Sequence, residues 1–262
     1  MATLQTVQTQ FASVDGVNVA YRRFGKQNTF PLLYVNHLRG SIDVLDPLLF
    51  NIIAKIREVI LYDSFGIGHS EGAVPDSTIA MASIATKLLA AVGVSKVDVI
   101  GFSMGGRVAQ ILAWDYPQLS CLHAMCSRAP LGVTMSPRPS KRCMACSSIR
   151  LRQAWRKRIH ERQVDGEERQ EFLVGQGAGA QLTAIFAFTV DLNNFDRLKD
   201  IKAPTLVTNG HTDVMSPTPN SFILQQNISN AQLIIYPDSG HGHLFQYPEL
   251  YAQHLELFLN DL

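Results

Sequence analysis

Cysteines are few in this chain of 262 residues, and their spacing argues against a metal site. The four are Cys121, Cys126, Cys143 and Cys146, of which the last two form a single C-x-x-C pair. A zinc site would need a second such pair, or histidines at ligand spacing, and neither follows. The pattern therefore favours reduced, structural thiols over a metal or redox role.

Long apolar runs and an excess of one charge are missing as well. No stretch approaches the roughly 20 apolar residues that span a bilayer. The polar segment 1–10 lacks the apolar core of a secretory signal. The formal net charge is +1, which gives no indication of nucleic-acid binding. These absences predict a cytoplasmic protein with no membrane span and no nucleic-acid partner.

A regular alternation of strand and helix patterns is what the sequence does contain. Hydrophobic residues make up 46% of the chain and charged residues 17%, as is typical of one large globular domain. Strands are predicted at 11–14, 17–23, 32–36, 59–62, 97–100, 122–126, 205–208 and 233–235. Helices are predicted at about 47–57, 79–92, 106–116 and 248–258, and from about 219. The alternation predicts an α/β fold, with a mostly parallel sheet covered by helices on both faces.

The alternation stops between residues 131 and 195. We expect residues 1–130 and 196–262 to form the core, with 131–195 inserted as a helical lid over the carboxyl edge of the sheet. Segment 138–162 has nine Lys or Arg against one Glu, and is predicted as a solvated basic face; binding of an anionic surface or ligand is the alternative. Trp155, Phe186 and Phe188 are candidates for the wall of a substrate pocket, with plain core packing as the alternative.

The pentapeptide Gly101-Phe102-Ser103-Met104-Gly105 matches the nucleophile-elbow pattern G-x-S-x-G. An apolar strand precedes it and an apolar helix pattern follows it. The tight strand-to-helix turn needs small neighbours, and it lifts the serine hydroxyl to the N-terminal end of a helix. Backbone N–H groups there stabilise developing negative charge. Ser103 is therefore a candidate nucleophile, against the alternative of an incidental serine in a glycine-rich turn.

A serine nucleophile needs a base, and the base needs an acid that orients it. In a doubly wound sheet such groups lie just past the carboxyl ends of strands. Asp213 follows the predicted strand 205–208, and His241 follows the predicted strand 233–235. His243 and Asp238 are the rival base and acid on the second of these loops.

At these motifs the chain resembles the α/β-hydrolase superfamily, in its cofactor-independent esterase, lactonase and C–C hydrolase branch. The resemblance rests on the elbow, on Gly210-His211-Thr212-Asp213, on Ser239-Gly240-His241-Gly242 and on the D-x-x-G-x-G-x-S turn at 63–70. It implies an eight-stranded twisted sheet with a helical lid, and no metal or organic cofactor. It also implies that Ser103 is the nucleophile, that His241 is the base and that Asp213 orients it.

The resemblance further implies an oxyanion hole, formed by the Met104 N–H and by one N–H of the loop 36–41. The family usually has His-Gly in this loop, but here Leu38 replaces the glycine. The second donor is therefore Leu38 or Arg39. The Arg39 side chain is a candidate to bind a substrate carboxylate or enol oxygen, or to form an ion pair. His37 is expected beside the pocket, holding the loop through hydrogen bonds.

Together these features predict a serine hydrolase that cleaves a small, fairly apolar ester, lactone or thioester through an acyl-enzyme. A C–C bond hydrolase with the same triad is the first alternative. A non-hydrolytic ligand-binding protein and an isomerase or cyclase on the same fold are the others. The expected partner is a small-molecule substrate, and a homodimer is compatible with the sequence.

Overall fold

The computed structural model describes residues 2–27, 29–126 and 167–260, with only the backbone for residues 120–126. These parts contain one sheet of eight strands. The strands are β1 Gln10–Val14, β2 Val17–Gly25, β3 Leu32–Val35, β4 Glu58–Tyr62, β5 Val97–Phe102, β6 Ser120–Cys126, β7 Thr205–Gly210 and β8 Ala231–Tyr236. The helices are α1 Pro47–Ile53, α2 Thr78–Ala91, α3 Met104–Asp115, α4 Gly175–Val190, α5 Asn193–Asp196, α6 Pro219–Asn227, α7 His243–Gln246 and α8 Pro248–Asn260.

The strand order is β1-β2-β4-β3-β5-β6-β7-β8. β1 and β2 form an antiparallel hairpin, and β2 also pairs antiparallel with β4. The remaining pairs are parallel. The hairpin turn is made by Asp15 and Gly16, both at positive φ, as the favoured two-residue turn requires. The predicted fold class, a mostly parallel sheet with helices on both faces, is confirmed.

The sheet has a separate apolar layer on each face. Leu33 and Val35 of β3 point into a layer with α2 and α3, whereas Leu32 and Tyr34 point into a layer with α1 and α8. This follows from the two-residue period of a strand. All residues of β3 and β5 are buried, as expected of central parallel strands. The loops that follow these strands are therefore anchored on a rigid sheet.

Residues 167–195, the described part of the predicted lid, are largely helical. The basic segment 138–162, Trp155, Cys143 and Cys146 lie outside the described residues, and so do the side chains of Cys121 and Cys126. Within the described ranges no helix is both long and apolar enough to cross a bilayer.

A buried charge cluster ties residue 170, near the start of the segment 167–195, to residues of the first 70 positions. The carboxylate of Asp43 lies 2.6 Å from Arg22 Nη2 and 2.7 Å from His69 Nε2, and it accepts a hydrogen bond from the Gln170 N–H. Burial raises the pKa of Asp43, but the hydrogen bond from His69 and the charge of Arg22 outweigh it and hold the pKa well below its usual range. Asp43 therefore stays ionised and keeps residue 170 on the core.

This cluster predicts a pH-dependent stability. The hydrogen bond to Asp43 raises the pKa of His69 above 6.5, against the opposing effect of burial. The stability that protonated His69 contributes is therefore complete below about pH 6.5 and is lost as the pH rises through the folded-state value. Between pH 6 and 9 we expect the thermal midpoint of the wild type to fall by roughly 2–4 °C more than that of His69→Gln. Equal slopes of midpoint against pH would contradict this role of His69.

Candidate active site

The elbow turn after β5 puts Ser103 in a conformation that few residues adopt. Its φ is 57°, in the positive range that most side chains avoid. The turn can close because positions 101 and 105 are glycines. A Cβ on Gly105 would collide with the Val35 carbonyl, and one on Gly101 would collide with the Gly105 carbonyl. Arg107 Nη1 donates to the Ser103 carbonyl at 3.1 Å. The serine is thus held at the start of α3.

Three loops at the carboxyl edge bring the predicted triad residues together. Ser103 Oγ lies 2.8 Å from His241 Nε2, and His241 Nδ1 lies 2.8 Å from Asp213 Oδ2. Ser103 follows β5, Asp213 follows β7 and His241 follows β8. Because β5, β6, β7 and β8 run parallel side by side, their carboxyl ends share one edge.

The hydrogen bonds fix which atoms of the triad donate and which accept. A carboxylate only accepts, so Nδ1 of His241 carries the proton and Nε2 is left to accept the Ser103 hydroxyl proton. The other oxygen of Asp213 accepts from the N–H groups of Met215 and Ser216, at 2.8 and 3.0 Å. Both oxygens are therefore fixed, and the carboxylate orients the imidazole.

His37 and His243, the two histidines near His241, lie in different surroundings. Burial lowers the pKa of His243 to about 3 and that of His37 to about 4, and the charge of His241 adds to both effects. The Nε2 of His243 lies 3.0 Å from Thr208 Oγ1, so this ring is engaged in the core. The ring of His37 lies against Phe102, 5.4 Å between centroids. Both rings are neutral at neutral pH, and neither contacts Ser103 by hydrogen bond.

His37 is expected to hold its loop through hydrogen bonds, and its carbonyl accepts one from the Gly40 N–H at 3.0 Å. Its Nδ1 is buried and has no hydrogen-bond partner among the described residues. The ring is held by contacts with Phe102 and Phe172 instead. Since Phe102 also contacts the ring of His241, at 5.1 Å, Phe102 connects the loop after β3 with the base. The sequence indicates Phe102 only as the variable position of the elbow.

Of the two candidate donors in the loop after β3, one N–H is engaged and the other is open. The Arg39 N–H donates to Gln181 Oε1 at 2.7 Å, and Arg39 has a positive φ of 66°. Within the described ranges, the N–H groups of Leu38 and Met104 make no hydrogen bond. Met104 is the first residue of α3, whose leading N–H groups have no intrahelical acceptor. Of the two predicted loop donors, Leu38 is therefore the one left open.

Gln181 of α4 was not expected from the sequence. Its side chain is fully buried. Leu173, just before α4, makes further hydrogen bonds with Arg39. The Leu173 N–H donates to the Arg39 carbonyl, and Arg39 Nε donates to the Leu173 carbonyl. Arg39 is thus bound to the segment 167–195 through both backbone groups and its side chain. No local pattern marks Gln181, because its partner is 142 positions away.

Phe186 and Phe188, the candidates for a pocket wall, have different surroundings. Phe186 is 65% exposed, whereas Phe188 is buried and stacks on Trp114 near the far end of α3. The cause is the helical period: the buried face of α4 passes through positions 181, 184 and 188, and positions 182, 186 and 190 face outward. Gln181 is the residue that this face brings to the loop after β3.

No group of three or more His, Cys, Asp or Glu side chains arranged to bind a metal occurs among the described residues. The site consists of the triad, two N–H groups and aromatic rings. This set suits proton transfer and nucleophilic attack on a carbonyl.

Known proteins are similar to this chain in sequence and in fold. A family model described as the alpha/beta hydrolase fold matches residues 34–144. The chain is 30% identical over 253 residues to a poly(3-hydroxyalkanoate) depolymerase of Ectopseudomonas oleovorans, covering 90% of this chain and 86% of that protein. It is 27% identical over 219 residues to a 2-hydroxy-6-oxo-6-phenylhexa-2,4-dienoate hydrolase of Burkholderia cepacia, covering 76% of each.

Among solved structures, an alpha/beta hydrolase fold protein from Chitinophaga pinensis superposes with a TM-score of 0.89 at 33% identity, over the full length of both chains. The fold and the edge arrangement define an α/β enzyme of the hydrolase class. The chain belongs to the α/β-hydrolase superfamily.

Proposed function

We propose that the protein is a serine hydrolase that cleaves a small, fairly apolar ester, lactone or thioester. The observation that carries the proposal is the continuous chain from Ser103 Oγ through His241 to Asp213, with two contacts of 2.8 Å. A serine, a histidine and a carboxylate in this order are the groups that acyl transfer requires.

In the proposed reaction Ser103 attacks the carbonyl carbon while His241 takes its proton. The N–H groups of Met104 and Leu38 stabilise the oxyanion. His241 then protonates the leaving group, and the acyl group stays on Ser103. A water molecule that His241 activates releases the acid and restores the serine. Asp213 holds the imidazole in the required tautomer throughout.

The decisive experiment is labelling with a fluorophosphonate probe followed by peptide mapping. We expect one modified peptide, which contains Ser103, and a burst of p-nitrophenol when the enzyme meets p-nitrophenyl butanoate. Labelling elsewhere, or no burst, would reject the acyl-enzyme mechanism.

C–C bond hydrolysis is the second candidate. It is favoured by the Burkholderia relative, whose name is that of a hydrolase acting on a dienoate. The contact of Arg39 Nε with the Leu173 carbonyl argues against a free guanidinium ready for a substrate carboxylate. Product analysis with a β-diketone and an aryl ester distinguishes the two reactions.

We also propose that 131–195 is a lid acting on the active site. The support is the set of contacts that join Arg39 to Gln181 and Leu173. Since Arg39 adjoins the proposed oxyanion donor Leu38, the position of α4 affects the loop that stabilises the transition state.

Replacing Gln181 tests this coupling. Gln181→Met keeps the length of the side chain and removes the acceptor for the Arg39 N–H. We expect kcat for p-nitrophenyl butanoate to fall by about 10- to 100-fold with little change in KM, because the loop N–H groups act mainly in the transition state. A trifluoromethyl ketone inhibitor should lose affinity in parallel.

Gln176→Met is the matched control, since Gln176 is exposed on the same helix, and it should leave kcat unchanged. A rise of kcat in Gln181→Met has a specific meaning. It would show that the Arg39 N–H is the true oxyanion donor and that Gln181 blocks it.

A further inference from the structure

A small cavity lies beside the loop that carries Leu38. Its volume is about 20 Å³, and its walls come from the ends of β3 and β4, from α2, α3 and α4, and from the turn after β4. Met104, the residue after the proposed nucleophile, forms part of the wall. Because Met104 also carries one proposed oxyanion N–H, the cavity lies next to the proposed oxyanion site, although neither Ser103 nor His241 borders it.

Three side chains that border this cavity carry unpaired polar atoms. They are both amide atoms of Asn36, the hydroxyl of Ser64 and Nε2 of Gln181, none of which has a partner among the described residues. Asn36 is 8% exposed and Gln181 is fully buried. Leaving buried amide and hydroxyl groups without hydrogen bonds is costly. Such groups call for an occupant that completes their hydrogen bonds.

The chemistry of the wall restricts the occupant. The Asn36 and Gln181 amide nitrogens donate, the Asn36 oxygen accepts, and the Ser64 hydroxyl can do either. The occupant must therefore both accept and donate. No charged side chain borders the cavity, which disfavours a carboxylate or an ammonium group. A cavity needs about 10–15 Å³ to hold one water molecule, so there is room for a single hydroxyl-sized group.

We propose that this cavity is a subsite for one hydroxyl group. Water supplies it in the free enzyme, and a hydroxyl near the carbonyl of the acyl chain supplies it during turnover. The substrate class is thus an ester of a hydroxy acid, an inference that rests on the proposed esterase function. Gln181 has two roles in this arrangement: Oε1 holds Arg39, and Nε2 donates to the occupant.

Matched esters test whether a hydroxyl group of the substrate occupies the subsite. The probes are p-nitrophenyl butanoate, 2-hydroxybutanoate and 3-hydroxybutanoate, assayed on the wild type, Ser64→Ala and Ser83→Ala. Ser83 is a half-buried serine of α2 that does not border the cavity. We expect one hydroxy ester to exceed butanoate in kcat/KM by about tenfold. Ser64→Ala should abolish most of that advantage, whereas Ser83→Ala should retain it.

Comparing variants on the same ester cancels the intrinsic reactivity of that ester. Equal loss in Ser64→Ala and Ser83→Ala, or no loss in either, would overturn the substrate's part of the proposal. A high-resolution crystal structure of the free enzyme tests the water. An ordered water within hydrogen-bond distance of Asn36 and Gln181 supports the subsite. If that water is present but no hydroxy ester is preferred, water alone is the occupant.

An empty cavity together with no preference for a hydroxy ester would overturn the subsite altogether. Failure of the proposed function would have another signature. In that case the wild type would not turn over even butanoate, while the crystal structure would still report on the cavity.

Discussion

Replacing Ser103 by alanine is expected to lower kcat for p-nitrophenyl butanoate by about 10³-fold or more. Ser103 Oγ is the group that lies 2.8 Å from His241 Nε2, so its removal takes away the proposed nucleophile. The thermal midpoint should stay close to that of the wild type, because the elbow is held by Gly101, Gly105 and Arg107 and not by the hydroxyl. Steady-state kinetics and a thermal melt on the same preparation provide both measurements.

Ser229→Ala is the control, since Ser229 is exposed just before β8, and it should retain full activity and full fluorophosphonate labelling. Near-native turnover of the natural substrate by Ser103→Ala would mean that no acyl-enzyme forms. The isomerase or cyclase alternative would then account for the intact fold better than the esterase does.

Much of the site could be predicted because its residues follow strands of one parallel sheet. Asp213 and His241 are 28 positions apart, yet each comes directly after an apolar strand pattern, and adjacent parallel strands end at the same edge. The elbow around Ser103 has its own local constraint, since only small residues fit at positions 101 and 105. Such features depend on short sequence windows, which is why they are readable without coordinates.

What could not be predicted depends on how a helix is rotated and where it packs. Positions 182, 186 and 190 of α4 look as apolar as positions 184 and 188, and only tertiary contact decides which face is buried. The face that packs inward brings a polar residue, Gln181, to the loop after β3. The four-residue helix α7, His243–Gln246, is too short to produce a recognisable period.

His241→Ala should reduce activity about as severely as Ser103→Ala. The members of a triad act as a unit, so the double variant Ser103→Ala/His241→Ala should be hardly worse than either single variant. Simple multiplication of the two losses would instead show that the residues act independently. The measurement is kcat/KM for p-nitrophenyl butanoate on the wild type, both single variants and the double variant.

His243→Ala is the matched control, because His243 is a second histidine only two positions away. Its ring is buried against Thr208 Oγ1 and contacts the ring of Tyr236, so we expect its loss to lower the thermal midpoint. The kcat of the folded enzyme should fall by less than about tenfold, since His243 makes no hydrogen bond to Ser103. The opposite ranking, with His241→Ala mild and His243→Ala inactive at a temperature where it is folded, would identify His243 as the base. Measuring both quantities separates the two roles, because a structural histidine changes the melting temperature and a general base changes the rate.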